Sequence, residues 1–132
     1  MGKTGREGTN AMATAAAEAE KIADWFEKRL NGTFLILKEE GNDADRVRIT
    51  VRKTKFWPGM KAADDYVEES RIILIGEGRI DGDGDRHTAA APLPRESYEI
   101  PLGDEFRWEA LGDSLKISTA RATYIVSPLT AN

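Results

Sequence analysis

The feature that most constrains this fold is a change in apolar spacing at Asn31-Gly32. The segment before it is rich in alanine, the strongest helix former, and carries an apolar stripe at helical spacing. The stripe consists of Ile22, Trp25, Phe26 and Leu30. After Gly32, apolar and polar residues alternate, which is the period of a half-buried strand. We therefore predict one amphipathic helix over residues 13–30, ended by Gly32, because glycine accepts a left-handed backbone there.

Strand-like runs follow one another from Thr33 to the C-terminus, with turn residues between them. The alternation of strands and helices that marks a parallel sheet is absent. One helix and about seven strands predict an α+β, mainly β fold, with the N-terminal helix packed on a strongly bent antiparallel sheet or small barrel. We expect residues 95–100 to pair with residues 105–111, and Gly76 and Gly78 to mark a bulge or bend.

The two ends of the chain differ in character. Residues 1–12 are polar and glycine-rich up to Met12 and are predicted to be a disordered tail. Residues 13–132 are predicted to form a single domain, since a chain of 132 residues has a common single-domain size. No run approaches the roughly 20 apolar residues of a membrane span, and the N-terminus lacks the apolar core of a signal peptide. We expect a soluble, cytoplasmic protein.

The charge is unevenly distributed along an acidic chain. The net charge is −4, from 19 basic and 23 acidic residues. Residues 31–60 carry six basic and four acidic residues, whereas residues 61–132 carry eight and fourteen. A nucleic-acid binder normally has a basic excess on one face, so general nucleic-acid binding is disfavoured and a local basic strip is expected instead.

Sequence motifs for catalysis are sparse. The chain has no cysteine, which excludes disulfides, thiol nucleophiles and zinc fingers. Its one histidine is His87, and no G-x-S-x-G elbow or phosphate-binding glycine loop accompanies it. We therefore predict a non-enzymatic protein without a cofactor. An enzyme built on a carboxylate pair stays as an alternative, drawing on Asp64, Asp65, Glu68 and Glu69.

A string of alternating carboxylates, Asp81, Asp83 and Asp85, is similar to the opening of a calcium-binding EF-hand loop. The sixth position of that loop is Arg86 where glycine is needed, and the twelfth is Pro92 where a glutamate is needed. A solvated turn is the simpler interpretation, and the string is kept as a weak candidate for a surface cation.

Two neighbouring groups of residues are the candidate binding site. Arg46, Arg48 and Arg52 form a row on one predicted strand, and Phe56, Trp57 and Met60 follow at its end. The row could be a solvated surface paired with Glu68, Glu69 or Glu77, an anion site in a barrel mouth, or a patch for an acidic protein. The aromatic group could pack as core or serve as an interface anchor.

These observations favour a protein-interaction module, such as an adaptor, inhibitor or accessory protein, that uses the basic strand face and the aromatic strand end. A leading helix followed by a strand meander from Asn31-Gly32-Thr33-Phe34 also resembles calycin-type barrels, such as the lipocalins, in architecture. That resemblance implies the alternative function, a barrel that carries a small anionic ligand. The oligomeric state stays open.

Overall fold

The computed structural model describes residues 7–61, 67–81, 91–92, 96–103 and 105–129. These residues form one helix, α1 (Glu7–Glu27), and twelve strands. The strands are β1 (Thr33–Glu40), β2 (Asp43–Thr50), β3 (Lys53–Trp57), β4 (Met60–Lys61), β5 (Val67–Glu68), β6 (Arg71–Ile75), β7 (Gly78–Asp81), β8 (Ala91–Pro92), β9 (Ser97–Pro101), β10 (Phe106–Leu111), β11 (Ser114–Thr119) and β12 (Thr123–Pro128).

Helix α1 extends further towards the N-terminus than the sequence pattern indicates. It begins at Glu7, inside the segment predicted as a disordered tail, and ends at Glu27 rather than at residue 30. The alanine-rich run favours propagation of the helix across the weaker helix formers before it. The left-handed residue after the helix is Asn31, with a φ of 71°, and not Gly32. Asparagine tolerates that conformation, so the predicted stop signal acts one residue earlier.

Every strand pairing is antiparallel, and the strands form three sheets. The large sheet has the order β10-β11-β12-β1-β2-β7-β8, a second has the order β3-β6-β9, and β4 pairs with β5. The first two sheets share a continuous hairpin, because β2 leads into β3 and β6 leads into β7. Arg52 N–H donates to the Ile75 carbonyl at 2.7 Å, and Thr50 N–H donates to the Glu77 carbonyl at 2.8 Å.

A bulge bends this hairpin where it passes from one sheet to the other. Ile49 lies opposite Gly78 and Lys53 lies opposite Ile75. Three residues on one strand, 50–52, therefore oppose two on the other, 76–77, which is the register of a β-bulge. The predicted bend at Gly76 is confirmed, although the extra residue belongs to the facing strand. We call this place the corner (residues 50–52 and 76–77).

One hydrophobic core lies inside the bend, between the sheets and α1. Ala19, Ile22 and Phe26 of the helix are buried against it, and the ring centroids of Phe26 and Phe34 are 5.7 Å apart. Alternate residues of five strands complete the core: Phe34, Ile36, Val47, Ile49, Ile72, Leu74, Leu115, Ile117, Tyr124 and Val126. A helix closing the concave side of a bent antiparallel sheet is the predicted fold class, and it is confirmed.

Two details of the predicted meander differ from the structure. The described residues 67–81 form three short strands, β5, β6 and β7, which partly accounts for a strand total above seven. The predicted hairpin of residues 95–100 with 105–111 is wrong, because β9 pairs with β6 and β10 pairs with β11. Pro101 has no N–H to donate and Gly103 has a φ of 73°, so the chain leaves one sheet there and crosses to the other.

Candidate functional site

The basic residues of β2 and β3 lie on the outside of the bent sheet. Val47, Ile49, Val51 and Thr54 are buried, so the intervening side chains point away from the core. The bulge keeps this arrangement across the corner, because its extra residue restores the outward position of Lys53. The exposed cations along β2, the corner and β3 are Arg46, Arg48, Arg52, Lys53 and Lys55.

Two more cations extend this surface on the neighbouring strands. Arg79 lies directly opposite Arg48, and Arg71 lies opposite Trp57. We call the seven outward cations of β2, β3, β6, β7 and the corner the basic ribbon face. Like charges directly opposite each other on a sheet lower its stability. The pair of Arg48 and Arg79 therefore concentrates positive charge at one place on the outer face.

Arg52 and Arg71 of this face each pair with a carboxylate. Arg52 donates from Nε to Glu77 Oε1 at 3.2 Å and from Nη1 to Asn31 Oδ1 at 3.0 Å. Arg71 Nη1 lies 2.8 Å from Glu99 Oε1. The predicted pairing of the arginine row with Glu77 is thus confirmed for Arg52. Arg52 ties the corner to the turn after α1, so it differs from Arg46 and Arg48, which lie along β2.

The aromatic strand end lies far from the arginines of β2. Phe56 packs against the core, while Trp57 is half-buried at the end of β3. Met60 begins β4, and the structure describes its backbone alone. Nine residues separate Arg48 from Trp57, which is about 30 Å along an extended strand. Trp57 nevertheless lies at one end of the basic ribbon face, opposite Arg71, whereas Arg46 and Arg48 lie towards its other end.

An apolar stripe beside the basic ribbon face was missed by sequence reasoning. Leu35 lies opposite Arg48 and Leu37 lies opposite Arg46, and Ile125 of β12 continues the row beyond Leu37. All three side chains are half-buried on the outer face. The signal was the run of consecutive apolar residues 34–37 within β1, which places apolar side chains on both faces of the sheet.

A shallow pocket of about 290 Å³ lies at the far end of the sheets from the corner. Arg121 and Glu69 form an ion pair on its wall, and Glu105 and the backbone at Gly103 also line it. Nearby, burial raises the pKa of Tyr124 to about 12, and burial raises the pKa of Tyr98 further still. Of the carboxylates considered for catalysis, the structure places the side chain of Glu69 here.

The other candidates cannot be placed in a site. Asp64, Asp65, Asp83, Asp85 and His87 lie outside the described residues, and of Glu68 and Asp81 only the backbone is described. Within the described ranges, no three metal-ligating side chains cluster together. No helix in that part of the chain is both long and apolar enough to cross a membrane.

The fold and surface define a class of protein: a small, strongly bent antiparallel sheet closed by one helix, with a basic outer face on an acidic chain. Residues 15–130 match the family of YmzB-like proteins, and the chain belongs to that family. It is 31% identical over 113 residues to the uncharacterized protein YmzB of Bacillus subtilis strain 168, covering 80% of this chain and 91% of that protein. No solved structure matches the chain.

Proposed function

We propose that this protein is a non-enzymatic interaction module that binds an acidic segment of a partner protein on the basic ribbon face. One observation carries the proposal: every basic residue from Arg46 to Lys55 is exposed on one side of the sheet, in a chain whose net charge is −4. Complementary charge speeds encounter and selects partners more than it adds affinity. A clustered basic surface on an acidic protein therefore favours an acidic partner.

The spacing of this surface suits an extended peptide. Alternate residues of a strand are about 6.7 Å apart, so Arg46 and Arg48 match carboxylates at alternate positions of an extended segment. The planar guanidinium groups bind carboxylates in a bidentate manner. Leu35 and Leu37 lie beside the arginines and offer apolar contact to residues between those carboxylates. We expect the bound segment to combine acidic and aliphatic residues.

The test uses a fluorescent ten-residue peptide of alternating glutamate and leucine, titrated at several salt concentrations. The double variant R46A/R48A should raise the dissociation constant about tenfold and flatten its salt dependence. Lys28→Ala, an exposed cation of the turn after α1, is the matched control and should leave both unchanged. Equal losses in the two variants, or no binding by the wild type at low salt, would overturn the proposal. Tighter binding of a single-stranded oligonucleotide of equal charge would also contradict it.

The alternative, a carrier of a small anionic ligand, needs Arg46, Arg48 and Arg52 to face into a barrel, whereas all three are exposed. The pocket beside Arg121 is a different place where such a ligand could bind. Glu69 and Glu105 line that same pocket, and Glu69 already neutralises Arg121. The negative charges of Glu69 and Glu105 therefore repel an anionic ligand in this pocket, because the single guanidinium of Arg121 is already paired. The acidic-partner proposal is therefore preferred. The cytoplasmic location stays a prediction, to be checked by fractionation of cells that express the chain.

A further inference from the structure

Among the residues that the structure describes, strand β10 forms one edge of the large sheet. It stands at one end of the strand order and pairs with β11 on one side. The other edges are shorter or interrupted: β8 has two residues and ends at Pro92, and β9 ends at Pro101. Strand β3 has α1 packed beside it. Strand β10 has six residues and no proline, and Leu111 at its end is 48% exposed. Such an edge is a template for pairing with another strand.

The hydrogen bonds of the sheet show which groups of β10 point outwards. Thr119 N–H donates to the Ala122 carbonyl, so the backbone groups of Thr119, and of every second residue before it, face β12. The intervening residues of β11, among them Ser118 and Lys116, therefore face β10 and bond to Arg107 and Glu109. It follows that the N–H and C=O groups of Phe106, Trp108 and Ala110 face away from the sheet.

We propose that β10 pairs antiparallel with β10 of a second copy of this chain, joining two large sheets into one. A two-fold axis makes such a contact self-complementary and closed. With Trp108 opposite Trp108 of the second copy, Phe106 lies opposite Ala110. Each outward N–H of one copy then donates to an outward C=O of the other.

Side-chain charge selects this register over its neighbours. With Trp108 on the axis, Arg107 lies opposite Glu109 of the second copy, and the reverse, on the outer face of the sheet. If the register shifts so that Arg107 lies on the axis, it faces Arg107 of the second copy, and if Glu109 lies on the axis, it faces Glu109 of the second copy. Both arrangements place like charges opposite each other, which is repulsive. Lys116 already lies beside Glu109 within each chain. The favoured register therefore gives an alternating row of charges across the junction.

The first test removes one outward hydrogen-bond donor without changing charge. Ala110→Pro deletes an N–H that the single chain does not use, and proline is tolerated at outward positions of edge strands. Sedimentation velocity over a range of concentrations should show a dimer for the wild type. The Pro variant should raise its dissociation constant at least about tenfold, whereas the control Ala110→Ser should match the wild type. A wild type that stays monomeric up to millimolar concentration overturns the proposal, as does a Pro variant that dimerises like the wild type.

The second test reports the register itself. Arg107→Glu alone places two glutamates opposite each other, and Glu109→Arg alone places two arginines opposite each other, so each variant should be monomeric. Mixed in equal amounts they should form a one-to-one dimer, because every facing pair is then of opposite sign. Circular dichroism of each variant confirms that it is folded. A mixture that stays monomeric while the wild type dimerises rules out this register.

This edge is independent of the basic ribbon face. Four strand spacings separate β10 from β2, which is about 19 Å. R46A/R48A should leave the dimer intact, and Ala110→Pro should leave peptide binding by each chain unchanged. Failure of either proposal is therefore distinguishable from failure of the other.

Discussion

Thr54 is the one described buried side chain whose polar atom has no hydrogen-bond partner. Its side chain points into the core from β3, which packs beside α1. A buried hydroxyl without a partner loses its hydration and gains nothing in return. The position accepts threonine because the side chain is short and β-branched, which suits a strand close to a helix.

We expect Thr54→Val to raise the free energy of unfolding by about 1 kcal/mol, since it replaces the hydroxyl with a methyl group of similar size. Chemical denaturation measures the change. Thr50→Val is the control and should lower stability, because Thr50 and Thr33 bond each other through their hydroxyls at 2.7 Å. A Thr54 variant that is less stable than the wild type would show that the hydroxyl has a partner.

Glu18 links α1 to the sheet. It accepts hydrogen bonds from Lys21 Nζ and from the indole Nε1 of Trp108, the latter at 2.7 Å. The bond from Lys21, then that from Trp108, lower the pKa of Glu18 from its usual 4.5. The folded state therefore gains stability above the usual pKa, and loses it as the pH falls through the lowered value.

The indole N–H resonance of Trp108 should report this titration. We expect its NMR shift to change with a midpoint below 4.5, because protonation of Glu18 weakens the bond that the indole donates. Glu18→Gln keeps an acceptor and removes the titration, so its profile should be flat over the same range. A midpoint at or above the usual value would contradict the link.

Individual residue positions were partly predictable. The outward direction of Arg46 and Arg48 follows from simple alternation with Val47 and Ile49. The pairing of Arg52 with Glu77 was one of three options, because only the corner decides which carboxylate comes within reach. The half-buried position of Leu35 on the outer face depends on what packs over that face, which no local pattern reports.

At the scale of elements, the corner depends on Gly76. A Cβ atom there would lie 1.8 Å from the Thr50 carbonyl oxygen, so the two strands approach more closely than any side chain permits. Gly76 N–H also donates to the Glu96 carbonyl at 2.8 Å, which brings the chain before β9 to the same place. One glycine thus allows three segments to meet.

We expect Gly76→Ala to lower the free energy of unfolding by about 3 kcal/mol or more, because the backbone must shift to relieve the clash. Gly41→Ala in the β1–β2 turn is the control. That residue has open space around it and a φ of 62°, so its cost should stay near 1 to 2 kcal/mol. Thermal unfolding of both variants measures the difference. A smaller loss at Gly76 than at Gly41 would contradict the steric explanation.

Element types were more predictable than element partners. The helical stripe and the strand periods are local, and they indicated α1 and most strands correctly. The partner of β9 is not local, because strands adjacent in sequence usually pair and β9 pairs instead with β6. The chain passes from the second sheet to the large sheet after Pro101, and this path depends on how the two sheets are arranged in space.

At the scale of the whole molecule, Tyr98 of β9 and Tyr124 of β12 come from two different sheets, and burial raises the pKa of both. Tyr124 is 2% exposed, and its hydroxyl lies near the acidic groups of Glu40 and Glu69. Its pKa rises from 10 to about 12. A raised pKa means that the neutral form stabilises the fold below the usual pKa, and that this stability is lost as pH rises through the folded value.

We therefore expect the protein to unfold in alkali, losing stability between pH 10 and about 12. Absorbance at 295 nm, read together with circular dichroism, should show that Tyr98 and Tyr124 ionise as the fold is lost. Tyr124→Phe removes one of these protons and should shift the unfolding midpoint to higher pH. Ionisation of both tyrosines near pH 10 in an intact fold would contradict the burial.

The general architecture was predictable because one helix and many strands leave few ways to bury an apolar stripe. The location of the basic surface was also predictable, because the basic residues of 46–55 lie close together in the sequence. The position of Trp57 opposite Arg71, at one end of that surface, was not predictable, because it depends on the register of the hairpin beyond the corner.

The hairpin that crosses the corner supplies β2 and β7 to the large sheet and β3 and β6 to the second sheet. If one sheet unfolds, the continuous strands of this hairpin are disrupted in the other sheet as well, because each sheet takes two of its strands from the hairpin. The molecule should consequently melt as a single cooperative unit, with no half-folded species in which one layer survives alone.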